Sequence, residues 1–315
     1  MNPDILMQLF KGLSATDVTK TVHTEPYAAI SPSRPELNQA GKVVLVTGGG
    51  TGVGFNIAKA FIRASADTVI IIGRRADVLE KAASDLRQEA MSVGTSTKII
   101  NRPVDVLDST QTNEFWEYLA AQGVTVDVFV ANVGKSSVPK SLIELGAARV
   151  WEDFEINVKS PLYWTEKFYT QPGDKKKYLI NVSSSVIHMA GYPGVGDRPA
   201  YVLTKMAGTM FFQLTAQQVT PEKMQVISLH PGSIYSTGWE AVGLKIPRES
   251  FDSDDLCGAF AVWAATDEAR FLHGRFAWAS WDVEELATGE LRKRIDEDPY
   301  FLRTSISGLN STNLS

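Results

Sequence analysis

The run Thr47-Gly-Gly-Gly-Thr-Gly-Val-Gly54 follows the apolar stretch Val43-Val-Leu-Val46 and precedes a helical pattern from Phe55 to Ala66. Glycines at such a junction let a strand turn sharply into a helix and leave backbone N–H groups bare for a ligand. A second apolar run, Thr68-Val-Ile-Ile-Ile72, and a second helical stretch, Asp77 to Ala90, come next. Apolar strands alternating with helices predict a parallel sheet covered on both faces, and right-handed crossovers make it doubly wound. Further strands are expected at Lys98 to Ile100, Val126 to Val130, Tyr178 to Val182, Gln225 to Leu229 and Arg275 to Ala279.

The chain has 315 residues, 44% hydrophobic and 21% charged, enough for one full α/β core of about 250 residues plus trimmings. A formal charge of −5 leaves no basic footprint, so a nucleic-acid partner is not expected. The single Cys257 excludes an internal disulfide framework and fits a reducing compartment. No apolar stretch reaches the roughly 20 residues a membrane helix needs, and neither terminus carries a secretory or peroxisomal signal, so a cytoplasmic protein without membrane association is expected. His23, His188, His230 and His273 show no metal-ligand spacing, and no metal site is expected.

Three regions follow from the pattern. Residues 1–40 combine the amphipathic piece Ile5 to Phe10 with a stretch broken by Pro26, Pro32 and Pro35, and read as an extended arm. Residues 41–281 hold the Rossmann-type α/β domain. Residues 282–315 hold a charged helix, Asp282 to Arg294, and a loose tail.

In the glycine run, Gly48 permits the tight turn, Gly52 lets a phosphate approach the backbone and Gly54 lets helix and strand pack closely. The spacing Thr-Gly-x-x-x-Gly-x-Gly resembles that of the short-chain dehydrogenase/reductase family. The family's other marks are present: Asp105-Val106, Asn132-Val-Gly134, Asn157, Tyr201 with Lys205, and Pro231-Gly232. The likeness covers about residues 41 to 281, and the arm and the stretch Trp278 to Leu286 resemble fungal members, many of which act in specialised metabolism.

The resemblance implies a nicotinamide cofactor held by Thr47, Gly48, Gly50, Thr51, Gly52, Val53 and Gly54, by Asp105, Val106, Asn132 and Gly134, and by Pro231, Gly232 and Ile234. Ser236 stands where the family has a threonine on the carboxamide, with Thr237 as the alternative. The second strand ends Ile71-Ile-Gly-Arg-Arg75, with Gly73 where an acid would bind a ribose 2′-hydroxyl. Arg74, with Arg75 adding field, can instead bind a 2′-phosphate, which favours NADP(H).

Carbonyl reduction needs a proton donor, and Lys205, one turn after Tyr201, would favour the tyrosinate electrostatically. The resemblance adds that Lys205 holds the nicotinamide ribose, that Asn157 carries a water linking the lysine to solvent, and that a serine orients the carbonyl. Of Ser183, Ser184 and Ser185, the register from Asn181 selects Ser184, with Ser183 as fallback. The loop Gly191 to Gly196 lengthens the interval to Tyr201 and lies beside the substrate. The segment to Phe251, with Trp239, Leu244 and Ile246, matches a mobile substrate loop and suggests an apolar or ring-containing small molecule. The reading is an NADPH-dependent carbonyl reductase, reversible as an alcohol dehydrogenase, with a non-redox enzyme or a non-catalytic NADP(H)-binding scaffold as alternatives. Family habit implies a homodimer or homotetramer, and Met206, Met210 and Phe211 offer a compatible face.

Overall fold

Seven short runs, five of them rich in Val, Ile or Leu, pair into one all-parallel sheet in the order β3-β2-β1-β4-β5-β6-β7. The strands are β1 (Val43–Thr47), β2 (Thr68–Gly73), β3 (Lys98–Pro103), β4 (Val128–Ala131), β5 (Lys177–Val182), β6 (Met224–His230) and β7 (Arg275–Trp278). The computed structural model describes residues 15–136, 138–192, 195–235 and 248–306.

Successive side chains of a strand point to opposite faces. Val44 and Val46 accordingly join a core roofed by α1 (Gly52–Arg63) and α2 (Ala76–Val93), while Leu45 between them joins the opposite core. The second face is covered by α3 (Ser109–Ala121), by α5 (Ser160–Tyr169), which follows α4 (Leu142–Phe154), and by α6 (Pro199–Gln218), through Phe115, Trp164, Phe168 and Phe212. The third helix on the first face, α7 (Leu256–Ala264), is apolar along its whole length and buries every residue. Burial of both sheet faces explains why the strands read as continuous apolar runs rather than alternating ones.

The strand order reverses between β1 and β4, and open α/β sheets bind ligands in the crevice at the carboxyl ends of such strands. The loops that leave β1 and β4 there are the glycine run and Asn132-Val-Gly134. A π-helical turn, Glu155–Lys159, joins α4 to α5 and carries Asn157.

Two expectations change. The N-terminal segment from residue 15 is not simply extended: it forms 3-10 turns at Ala28–Ile30 and Pro35–Leu37, because Ile30 and Leu37 are fully buried against the first-face core. It is held by its own domain, through Tyr27 Oη donating to Trp281 O at 3.1 Å and accepting from Val283 N at 2.7 Å, and through His23 Nε2 meeting Asp282 at 2.8 Å. The helix expected from Asp282 to Arg294 is two helices, α8 (Val283–Ala287) and α9 (Gly289–Glu297). Gly289 adopts φ 59°, and the Thr288 backbone before it is extended, which ends one helix and starts the next. Ile5 to Phe10 lies outside the described residues, as does the tail from 307.

Candidate active site

The groove at the switch point is shaped by missing side chains. At Gly48 the backbone takes φ 68°, a region L-residues avoid, and a Cβ there would press on Asn132 and Val133. A Cβ on Gly54 would collide with the Gly48 carbonyl and meet Asn132 Nδ2 at 2.6 Å. Asn132 Nδ2 donates to Thr47 O at 2.9 Å, and the Thr47 hydroxyl accepts from Asn132 N at 3.0 Å. These bonds lash the ends of β1 and β4 together.

Of the residues expected to hold a cofactor, Gly48, Gly50, Thr51, Arg74, Arg75, Asp105, Val106, Asn132 and Gly134 line this groove. Gly52 and Val53 do not: Gly52 is exposed where α1 begins, and Val53 in the first turn packs against the first-face core. Thr47 and Gly54 shape the groove from behind. Arg74 and Arg75 are exposed at its edge and pair with no carboxylate among the described residues. Pro231, Gly232 and Ile234 lie past β6, while Ser236 and Thr237, like Trp239, Leu244 and Ile246, fall outside the described residues.

The other cluster stands at the carboxyl end of β5. Ser184 faces the Tyr201 hydroxyl and favours its ionised form, and Ser183 is turned away, its Oγ 2.6 Å from Thr209 Oγ1 in a buried pair. Alternation along the chain forces that split, so only one of the two neighbours faces Tyr201. Lys205 extends its ammonium to Val182 O at 3.0 Å, and a Cβ on Gly134 would sit 3.0 Å from it. Lys205 therefore spans from β5 to the groove floor.

Asn157 Nδ2 donates to Thr204 Oγ1 at 2.9 Å and to Lys135 O at 3.0 Å, while its Oδ1 accepts from Lys135 N at 2.8 Å. Its side chain thus ties α6 to the loop after β4. Gly208 lets α6 approach, since a Cβ there would meet the Asn157 carbonyl at 2.7 Å.

Burial raises the Tyr201 phenol above its usual range, and the Ser184 hydroxyl and the Arg198 charge pull it back down. Burial pushes Lys205 down to about 8. His230 is pushed down to about 3 by burial and the neighbouring His188, and its Nδ1 accepts from Ser185 N at 3.3 Å. The neutral His230 ring packs edge-on against Trp278, so it supports the serine loop from behind.

Two residues were missed in the sequence. Asp252 accepts from Ser233 N at 2.6 Å and returns its own N–H to Ser233 O at 3.0 Å, pinning the loop after β6. Burial raises this carboxyl, with the Ser233 N–H opposing and Asp17 reinforcing the rise. Arg198, just before α6, donates to Ser136 Oγ at 3.1 Å. A lone Asp and a lone Arg in loops carry no sequence pattern, and only the fold brings them to the site. Among the described residues no group of three or more His, Cys, Asp or Glu side chains could hold a metal, and no helix is long and apolar enough to cross a membrane.

Comparison with known proteins agrees with this architecture. Residues 42–244 match the family model for short chain dehydrogenase. The chain is 33% identical over 292 residues to the short chain dehydrogenase/reductase nsrO of Aspergillus novofumigatus, covering 90% of this chain and 94% of that one. It is 35% identical over 287 residues to a short chain dehydrogenase/reductase of Claviceps purpurea, covering 90% and 92%. Among solved structures it superposes on L-sorbose reductase from Gluconobacter frateurii, complexed with NADPH and L-sorbose, with TM-score 0.66 at 20% identity over 77% of this chain and 96% of that one. The Pseudomonas aeruginosa RhlG/NADP complex gives TM-score 0.67 at 20% identity, covering 78% and 97%. With the family model matching most of its length, the chain belongs to the short-chain dehydrogenase/reductase family of oxidoreductases.

Proposed function

We propose that the protein is an NADP(H)-dependent reductase of a ketone on an apolar or ring-containing small molecule. The observation that carries the reading is the convergence of Ser184, Tyr201 and Lys205 beside a groove whose rim holds two arginines with no carboxylate partner among the described residues. The groove fits such a cofactor. Its floor is bare glycine backbone at the start of a helix, suited to a pyrophosphate, and Arg74 and Arg75 suit a 2′-phosphate. Asp105 and Val106 would flank the adenine, and Lys205 would meet the ribose. When bound, the cofactor supplies the hydride.

The protein's own residues manage the oxygen. Ser184 donates a hydrogen bond that orients the carbonyl, and Tyr201 delivers the proton as negative charge grows there. The Ser184 hydroxyl and charge from Arg198 ease the ionisation that burial opposes. Lys205, with its proton affinity lowered by burial, can exchange a proton near neutral pH. Asn157 acts as a positioning residue, since its polar atoms hold Lys135 and Thr204. Tyr192 in the loop before Tyr201, and the edge-to-face pair Tyr235 and Phe251 flanking segment 236–247, support a ring-containing substrate.

Leu162, Leu203 and Leu214 are exposed on α5 and α6, and with Trp151 on α4 they support a homodimer built on these helices. Light scattering coupled to size exclusion tests it, and a monomer alone would remove it. The function itself is tested by NADPH consumption against aromatic, polycyclic and aliphatic ketones, with NADH and Tyr201→Phe in parallel. Turnover that needs both NADPH and Tyr201 supports the reductase; tight NADPH binding with no Tyr201-dependent turnover across the panel turns the reading toward a non-redox enzyme.

A further inference from the structure

The arginines of this chain have identifiable occupations, with three exceptions. Most pair with carboxylates, as Arg63 does with Glu89 and Asp255 and Arg149 with Asp153. Arg275 and Arg303 cap backbone carbonyls, and Arg102 lies over the Tyr118 ring at 3.6 Å. Arg74 and Arg75 stand on the cofactor groove. Arg198 is the third exception: it is half-buried, and it has no carboxylate partner among the described residues.

Its position is specific. Arg198 precedes α6 by one residue, and its carbonyl accepts from Tyr201 N at 3.0 Å, so the two residues stand one turn apart at the start of the helix. Nη1 donates to Ser136 Oγ at 3.1 Å, which ties it to the loop that continues from Asn132 and Gly134. A guanidinium has five N–H donors in a planar fork, and one is committed here. The remaining N–H donors of the fork are open to an anion that arrives beside it. Its charge also reaches the Tyr201 hydroxyl and favours the phenolate.

Resting on the reductase reading above, we infer that Arg198 is a specificity-determining residue that binds an ionised oxygen on the substrate, near the carbonyl to be reduced. The ligand class is a ketone bearing either a carboxylate or an acidic phenolic or enolic hydroxyl. Both present the same chemistry to the fork: a charge-assisted, in-plane pair of hydrogen bonds. Such a bond is worth roughly 10- to 100-fold in affinity.

The test measures ligand binding by calorimetry, with and without NADP+, to the wild type, Arg198→Gln and Arg198→Lys. Two matched pairs separate the sources: benzoylformate against its methyl ester, and 2,6-dihydroxyacetophenone, held above its phenol pKa, against 2,6-dimethoxyacetophenone. The expected result is a preference for the anion of at least about tenfold in one or both pairs, lost in Arg198→Gln and partly kept in Arg198→Lys. Whichever pair shows it names the source of the charge. The proposal is overturned if the wild type prefers neither anion, if the preference survives in Arg198→Gln, or if that variant loses anion and neutral partner equally, as a structural role would produce. Absence of NADP+ binding by the wild type would strike the reductase reading alone, because anion discrimination is scored in the cofactor-free arm as well.

Discussion

The two halves of the site are made by opposite means. The cofactor groove between β1, β2 and β4 is formed by what the chain omits, since Gly48 and Gly54 leave the backbone room that any Cβ would fill. The proposed catalytic cluster at β5 and α6 is formed by what the chain adds: hydroxyl, phenol and ammonium, with the Arg198 guanidinium beside them, brought together from segments far apart in sequence. A groove of backbone is a steric object, so a single added methyl should damage binding and leave chemistry alone. The serine and tyrosine of the cluster act electrostatically, so removing an oxygen from either should damage chemistry and leave cofactor binding alone.

The sharpest way to break that contrast is Tyr201→Phe. Losing the proton donor should lower kcat by about 10²- to 10⁴-fold, while NADPH affinity, followed by cofactor fluorescence, stays within a few-fold. A matching loss of NADPH affinity would show the halves to be one unit. Ser184→Ala should follow with a loss of about 10²-fold in kcat, as for the removal of one donor at a developing oxyanion. Unchanged kinetics would shift the carbonyl contact to another group.

On the other side of the contrast, Gly54→Ala forces a Cβ against the Gly48 carbonyl and Asn132. If the strain of about 1–3 kcal/mol falls on the bound state, the Kd for NADPH should rise by roughly 5- to 150-fold, with kcat at saturating cofactor largely retained. An unaltered Kd and Tm would mean the loop yields more readily than its packing implies. Smaller still is Arg74→Ala, expected to weaken NADPH by about tenfold with little effect on NADH. Equal effects on both cofactors, measured by parallel titration, would deny Arg74 its phosphate.

The same contrast explains what could be read from sequence. Steric demands leave glycines at fixed intervals between a strand and a helix, so the groove was legible, along with all seven strands to within a few residues. Val53 was carried into the groove by the motif although its side chain packs into the core, because a glycine spacing says nothing of where the intervening residue points. In the catalytic half, Tyr201 and Lys205 were legible because they share a helix face, whereas Ser184 and Asn157 could be picked out only through the family resemblance. Asp252 and Arg198 sit in loops, and the Asp252 bonds to Ser233 join residues 19 apart, which no local pattern encodes. The division of Asp282 to Arg294 into two helices was hidden for a similar reason. One glycine in a charged segment is tolerated by many helices, and tertiary packing decides whether it breaks them.

The neighbours Ser183 and Ser184 put the contrast within two residues of one another. Both are serines at the end of β5, yet Ser184 meets Tyr201 and Ser183 meets Thr209 on α6, in a buried pair at 2.6 Å. Ser183→Ala should therefore leave kcat and KM unchanged and cost stability instead. The lost hydrogen bond and the stranded Thr209 hydroxyl amount to about 1–2 kcal/mol, a fall in Tm of about 2–4 °C by differential scanning calorimetry. Combining it with Thr209→Val should recover part of that loss, because removing both partners avoids an unsatisfied buried hydroxyl. A kinetic defect in Ser183→Ala equal to that of Ser184→Ala would show that the β5–α6 contact positions Tyr201 through the helix, and the boundary between scaffold and chemistry would then run one residue further into the sheet.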